Sequence, residues 1–120
     1  MLVWDEVKFL EFFAIEPEVG DYEVSHYYKI EKDGLLLEVT INQYSGDVYL
    51  ELCHTVTEST IFQIKITDCQ MIKLIKSRDG EYLEIAPGKV FGNRYDEDFT
   101  IPYGIRLKLN PHICISMFKK

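Results

Sequence analysis

The sequence predicts an all-β protein, or an α+β protein with a dominant sheet: an antiparallel β-sandwich or curved sheet of about eight strands with one short N-terminal helix packed on it. Three observations carry that prediction. Apolar residues alternate through Leu35, Leu37, Val39, Ile41 and again through Val48, Leu50, Leu52, with Tyr44-Ser45-Gly46-Asp47 as turn chemistry between them. Asp-Gly occurs at 33–34 and again at 79–80, each time between alternating runs, and this dipeptide suits a hairpin turn whose central residues need positive φ. Helical spacing is clearest in the first stretch, from Val3 to Phe13.

In that stretch the polar positions are Asp5, Glu6, Lys8 and Glu11. They leave a broad apolar face containing Trp4, Val7, Leu10 and Phe13, which predicts a helix over 3–14 lying on a sheet. Asp5 and Glu6 complement the helix dipole, and Pro17 ends the helix because the residue before a proline is pushed out of the α region. Phe9 and Phe12 then fall on a flank, where they cover a sheet edge; the same flank is a route to a homodimer.

Glu16 to Tyr22 is an acidic connection, and the β-rich region runs from 22 to 118. A two-residue turn at Asp33-Gly34 pairs Ile30 with Leu37, Tyr28 with Val39 and His26 with Ile41. Pairing Asn42 with Asp47 then sets Val39 against Leu50 and Leu37 against Leu52. By parity the reverse face of this meander carries Tyr27, Lys29, Glu38, Thr40, Tyr49 and Glu51. Lys29 opposes Glu38 and Glu38 opposes Glu51. Opposed carboxylates are mildly destabilising unless a cation lies beside them, and Lys29 is placed to supply one. The bland account of this surface is a solvated sheet face with a charge row.

Beyond the polar linker 54–60, Ile61 to Ser77 continues as β. Thr67-Asp68-Cys69-Gln70 is a turn or a bend in one long strand, and apolar phasing favours a bend or bulge. Asp79-Gly80, treated like the first Asp-Gly, pairs Leu74 with Ile85. A three-residue loop at Asn110-Pro111-His112 aligns Leu107 with Ile115 and leaves His112 at an exposed tip. The long irregular segment 87–104 has Phe91, Tyr95, Phe99 and Tyr103 four residues apart. Loops of this length inside a compact domain tend to be functional, and here the rings are expected to close one end of the sandwich while Arg94 and Asp96-Glu97-Asp98 face water.

Composition narrows the function classes. A length of 120 residues, 47% hydrophobic and 28% charged, fits one ordinary globular domain. No apolar run is long enough for a membrane span, and the acidic N-terminus does not read as a secretory leader, so a cytoplasmic protein is expected. Three cysteines without CxxC spacing argue for reduced, mostly buried thiols. Residues 1–60 hold 13 acids and 3 bases, whereas residues 61–120 hold 7 acids and 10 bases. Nucleic acid is a poor partner for the first half; a basic protein fits it. The plainer account is that the halves neutralise each other across one sheet.

Specific chemistry is not encoded in any motif. His112 and Cys114 make a single HxC pair, Asp96-Glu97-Asp98 lacks the EF-hand glycine pattern, and there is no GxSxG elbow and no phosphate-binding loop. No metal, cofactor or catalytic residue is assigned, and an enzyme is the less favoured class. The favoured reading is a non-enzymatic binding module with an acidic surface, a role that a bacterial toxin-neutralising immunity protein would fill. Its candidate binding residues are Tyr27, Lys29, Glu38, Tyr49 and Glu51 on the sheet and Arg94, Tyr95, Asp96, Glu97 and Asp98 on the long loop. The alternative is a small-ligand or carbohydrate-binding β-sandwich whose aromatic loop shapes a pocket.

Overall fold

The computed structural model describes residues 2, 4–20, 25–78, 80–87 and 103–119. Helix α1 spans Glu6–Phe13. Asp5 is its N-cap, its Oδ1 accepting from the backbone N–H of Val7 at 3.0 Å and of Lys8 at 3.2 Å. The helix ends before proline acts on it: Ala14 turns left-handed at φ 58°, and its N–H donates to the Leu10 carbonyl. Asp5→Ala leaves two N–H groups without that acceptor and is expected to cost about 1 kcal/mol in chemical denaturation.

The buried face of α1 also differs from the expectation. Phe9, Phe12 and Phe13 are buried, while Val7 is 66% and Leu10 41% exposed. Positions 9, 12 and 13 form an i, i+3, i+4 stripe of three large rings, which bury more apolar area than the Val7–Leu10 side can. The rings rest on aromatic side chains of the sheet: Phe13 stacks on Tyr28 at 4.4 Å, and Trp4 meets His26 edge-on at 4.7 Å. The flank considered for a homodimer is thus consumed by the chain's own core.

Nine strands follow: β1 (Glu18–Val19), β2 (Ser25–Lys32), β3 (Leu35–Asn42), β4 (Asp47–His54), β5 (Thr60–Ile66), β6 (Cys69–Ser77), β7 (Gly80–Pro87), β8 (Tyr103–Lys108) and β9 (Cys114–Lys119). They form two antiparallel meanders, a five-stranded sheet in the order β1-β2-β3-β4-β5 and a four-stranded sheet in the order β6-β7-β8-β9. Strand β1 is two residues long and lies in the stretch expected to be a plain connection. The first meander has the expected register throughout: His26↔Ile41, Tyr28↔Val39 and Ile30↔Leu37, then Leu37↔Leu52 and Val39↔Leu50. Asp33 at φ 54° and Gly34 at φ 75° supply the positive angles of the connecting turn.

The second Asp-Gly behaves differently. Leu74 pairs with Leu83, and it is Ile72 that opposes Ile85, because Ser77 pairs with Gly80. Gly80 takes φ 111° as the first strand residue, so the freedom of glycine is used at the strand start and not inside the turn. The displacement is two residues, which preserves parity and keeps Ile72, Leu74, Leu83 and Ile85 on one face. Leu107 pairs with Ile115 as expected.

One buried cluster joins both sheets and α1. It includes Leu37, Val39, Ile41, Val48, Leu50 and Ile66 from the first sheet, Ile72, Leu83, Ile85, Ile105 and Leu107 from the second, and the three helix phenylalanines. The ambiguous 67–70 segment is the corner where the chain leaves one sheet for the other, with Asp68 left-handed at φ 55°. The Cys69 N–H then donates to the Gly46 carbonyl at 2.9 Å, tying the start of β6 to the β3–β4 turn. At the opposite end of the meander, Lys32 Nζ donates to the Leu109 carbonyl at 2.6 Å and to Asn110 Oδ1 at 2.7 Å. His112, exposed as expected, sits 3.0 Å from Asp33. The sheets are therefore tied at both ends of the β2–β3–β4 meander.

This arrangement corrects the charge reading. The acidic and basic halves do not interleave in one sheet, since each half builds nearly all of its own sheet. Among the described residues, no helix is long and apolar enough to cross a membrane. Cys53 and Cys69 are buried and Cys114 is exposed; all three are free thiols.

Candidate functional site

Register fixes the reverse face of the first sheet. Tyr27, Thr40, Tyr49 and Lys65 lie in one cross-strand row, and Lys29, Glu38, Glu51 and Gln63 lie in the next. A third row brings Glu31 beside Leu36 and Leu36 beside Cys53. Five of the residues singled out from the sequence, Tyr27, Lys29, Glu38, Tyr49 and Glu51, thus share one surface. The other five, Arg94, Tyr95, Asp96, Glu97 and Asp98, lie outside the described residues.

Glu38 and Glu51 are directly opposed, as parity requires. Their partners are not the expected one. Among the described residues Lys29 forms no ion pair; it is exposed to solvent. Glu38 instead accepts from the Tyr27 hydroxyl. Glu51 accepts from the Cys53 thiol at 3.2 Å and from the Thr60 hydroxyl at 3.4 Å. Neutral donors hold the two carboxylates in place without cancelling their charge, so the face keeps its negative potential.

Titration behaviour follows from this network. Partial burial first, then the hydrogen bond to Glu38 and the nearby charges of Glu38, Glu18 and Glu51, push the Tyr27 phenol up to about 12. Burial, followed by the Glu51 hydrogen bond, pushes the Cys53 thiol up, consistent with a protonated donor. On the next row the Lys65 ammonium is held charged by its hydrogen bond to Tyr49 and by Asp47, which lies 3.5 Å away. Because the Tyr27 phenol is raised above its ordinary 10.0, its stabilising contribution is present below pH 10.0 and is lost as pH rises toward about 12. Glu38→Gln removes the charge beside it, so carbon NMR of the Tyr27 ring should show the phenol titrating at lower pH, though still above 10.0 because its burial remains.

A shallow cleft of about 350 Å³ opens at one end of this face. Lys29, Glu31, Leu36, Glu38, Cys53, His54, Thr55 and Glu58 line it. Glu31 and Cys53 were not singled out from the sequence, although the same parity puts them one row beyond the residues that were. Glu58 was not reachable that way, because its position depends on a left-handed residue in the β4–β5 turn, where Glu58 itself has φ 56°. Thr55 closes that turn against the first hairpin, with its N–H and its hydroxyl both donating to the Gly34 carbonyl at 3.0 Å.

A second concavity, about 680 Å³, runs between the start of α1 and β6 and is lined by Trp4–Phe9 and Ile72–Ile75. Both of its acidic groups already have structural tasks: Asp5 caps the helix, and Glu6 Oε1 lies 3.4 Å from the buried His26 Nε2. Among the described residues, no group of three or more His, Cys, Asp or Glu side chains converges as a metal site.

Fold and face together define a class: a small two-sheet antiparallel β-protein with a short helix on its core and a carboxylate-bearing sheet face. The architecture is similar to a chain in the contact-dependent growth inhibition toxin - immunity protein complex from Klebsiella pneumoniae 342. The TM-score is 0.78 at 17% identity, over 99% of this chain and 97% of that one. At that identity the likeness is one of fold. No family model matches the chain, and no curated protein matches it by sequence.

Proposed function

We propose that this chain is a cytoplasmic, non-enzymatic immunity protein that neutralises a toxin by binding a basic surface of it with the outer face of the first sheet. The observation that carries the reading is the opposed pair Glu38 and Glu51, held by neutral donors while Lys29 forms no ion pair among the described residues. Two like charges side by side cost folding stability, and a cationic partner offsets that cost on binding. Glu31 and Glu58 at the cleft extend the same potential. The fold likeness to a chain of a toxin–immunity complex supports the same class. Asp96, Glu97 and Asp98, with Arg94 and Tyr95, are proposed as a second contact patch. Neutralisation on this account is occlusion: no bond is made or broken, and affinity and coverage do the work.

The test is co-expression with the protein encoded next to this chain, scored by growth, followed by calorimetry of the purified pair at low and high salt. Growth protection with binding that weakens steeply as salt rises is expected. Protection without any complex, or binding that ignores salt, would refute the acidic-face reading.

A further inference from the structure

We propose that the slot between α1 and the outer edge of β6 docks a single extended segment of another protein, which joins the second sheet as a strand and alternates apolar with acidic side chains. Strand β6 is an outer strand of its sheet, and four consecutive residues of it, Ile72–Ile75, line the slot. Neighbouring residues of a strand point to opposite faces, so a cavity over one face would meet every second residue. One that meets all four lies along the edge, where the outward N–H and C=O groups are. The pairing of this stretch with β7 is regular from Ile72↔Ile85 to Ile75↔Tyr82, and the register shift lies before it, between Cys69 and Ile72. At about 3.3 Å rise, 4.8 Å strand spacing and 10 Å layer thickness, a strand residue fills roughly 160 Å³. The slot of about 680 Å³ therefore takes about four residues, as many as β6 presents to it.

The other wall selects the occupant. Strands β5 and β9 are outer strands too. Thr60–Gln63 of β5 and Cys114, Ser116 and Met117 of β9 are exposed, and the β5 register shifts at Leu52/Cys53, so a strand added to either meets an edge open to water. On β6 it would gain the main-chain ladder and also the apolar surfaces of Trp4, Val7 and Phe9 across the slot. The helix limits the occupant to one strand. The edge of a second sheet brings its next strand about 4.8 Å further out, into α1, and β6 of a second copy stands behind its own α1. The charge of the segment follows from the lining. Asp5 and Glu6 are engaged, whereas Lys8 and Lys73 are exposed and form no ion pair among the described residues. Apolar residues beside Ile72 and Leu74, with an acid between them beside Lys73, complement this edge. The slot shares no lining residue with the Glu38–Glu51 face, so the proposal stands independently of the toxin reading.

Titration of the intact chain with a blocked heptapeptide alternating valine and glutamate, followed by amide exchange in NMR, tests it. Saturable binding is expected, with slowed exchange at alternate amides of Ile72–Ile75 and none of that protection on β5 or β9. N-methylating the peptide amides that face β6 should weaken binding roughly tenfold or more, as loss of several main-chain bonds does. A valine–lysine peptide of the same length should bind about fivefold or more weakly, and Lys8→Gln/Lys73→Gln should abolish that preference. Both peptide comparisons use the wild type, so they decide the matter even where the double variant loses stability. No binding at millimolar peptide, equal affinity for the methylated peptide, or equal affinity for the two charges overturns the proposal. So does protection that maps to β5 or β9, or a charge preference that survives in a folded double variant.

Discussion

Gly46→Ala is expected to lose about 3–4 kcal/mol of folding stability, a large part of what a domain of this size has to lose. Gly46 sits at φ 75°, where an alanine pays for its side chain in backbone strain. A Cβ there would also lie 2.6 Å from the Cys69 carbonyl oxygen and 3.1 Å from the Cys69 nitrogen. Both obstacles are backbone, and they belong to the corner where the chain passes from the first sheet to the second. The Cys69 N–H donates to the Gly46 carbonyl, so moving either segment to relieve the clash breaks the bond that joins the sheets. Gly34 separates the two causes. It has the same φ of 75° but nothing within 4 Å of its would-be Cβ. Gly34→Ala should therefore show the strain alone, about 1 kcal/mol. Equal losses at the two positions in urea denaturation would mean that the Gly46–Cys69 contact contributes nothing to joining the sheets.

That glycine lies in the turn from which the fold could first be read, and it shows what sequence patterning can reach. Strict alternation on both sides of a turn, with an Asp-Gly that demands positive φ, fixes register to the residue, and the β2–β3–β4 meander has every expected pair. Where glycine serves a different purpose the same rule slips: Gly80 belongs to the strand, and the β6–β7 register moves by two. Periodicity failed on α1 for a related reason. Most of its positions are apolar, so spacing alone admits more than one face, and the sheet's Tyr28 decides among them by packing against Phe9 as well as Phe13. Tertiary ties leave no local pattern at all. Nothing in Asn42 to Asp47 announces that Cys69 will dock there, and nothing near Lys32 announces the Leu109 carbonyl. The reverse-face surface was legible because parity is carried by register, whereas its hydrogen-bond partners were not. Lys29 is the nearest cation in sequence register to the two glutamates, yet Tyr27, Cys53 and Thr60 hold them.

This difference between expected and observed partners decides the sign of the second large effect. Glu38→Gln/Glu51→Gln is expected to weaken binding of the proposed basic partner about 100-fold or more, as loss of close charge pairs in a desolvated interface does. Glutamine keeps the shape and can still accept from Tyr27, Cys53 and Thr60, so folding stability should hold or rise slightly as the opposed charges disappear. Lys29→Gln should move affinity the other way, tightening it several-fold, because Lys29 is the one cation in the Glu38–Glu51 row and a cationic partner meets it as a like charge. Had Lys29 been the structural counter-ion of the carboxylates, its removal would instead destabilise the fold; among the described residues it has no ion pair to lose. Calorimetry at two salt concentrations, with denaturation of each variant alongside, reads all three signs. The double variant should also lose most of the salt dependence, since that dependence reports the charges removed. Unchanged affinity in the double variant, or weaker binding in Lys29→Gln, would place the partner on some other surface and leave the carboxylate row a solvated sheet face.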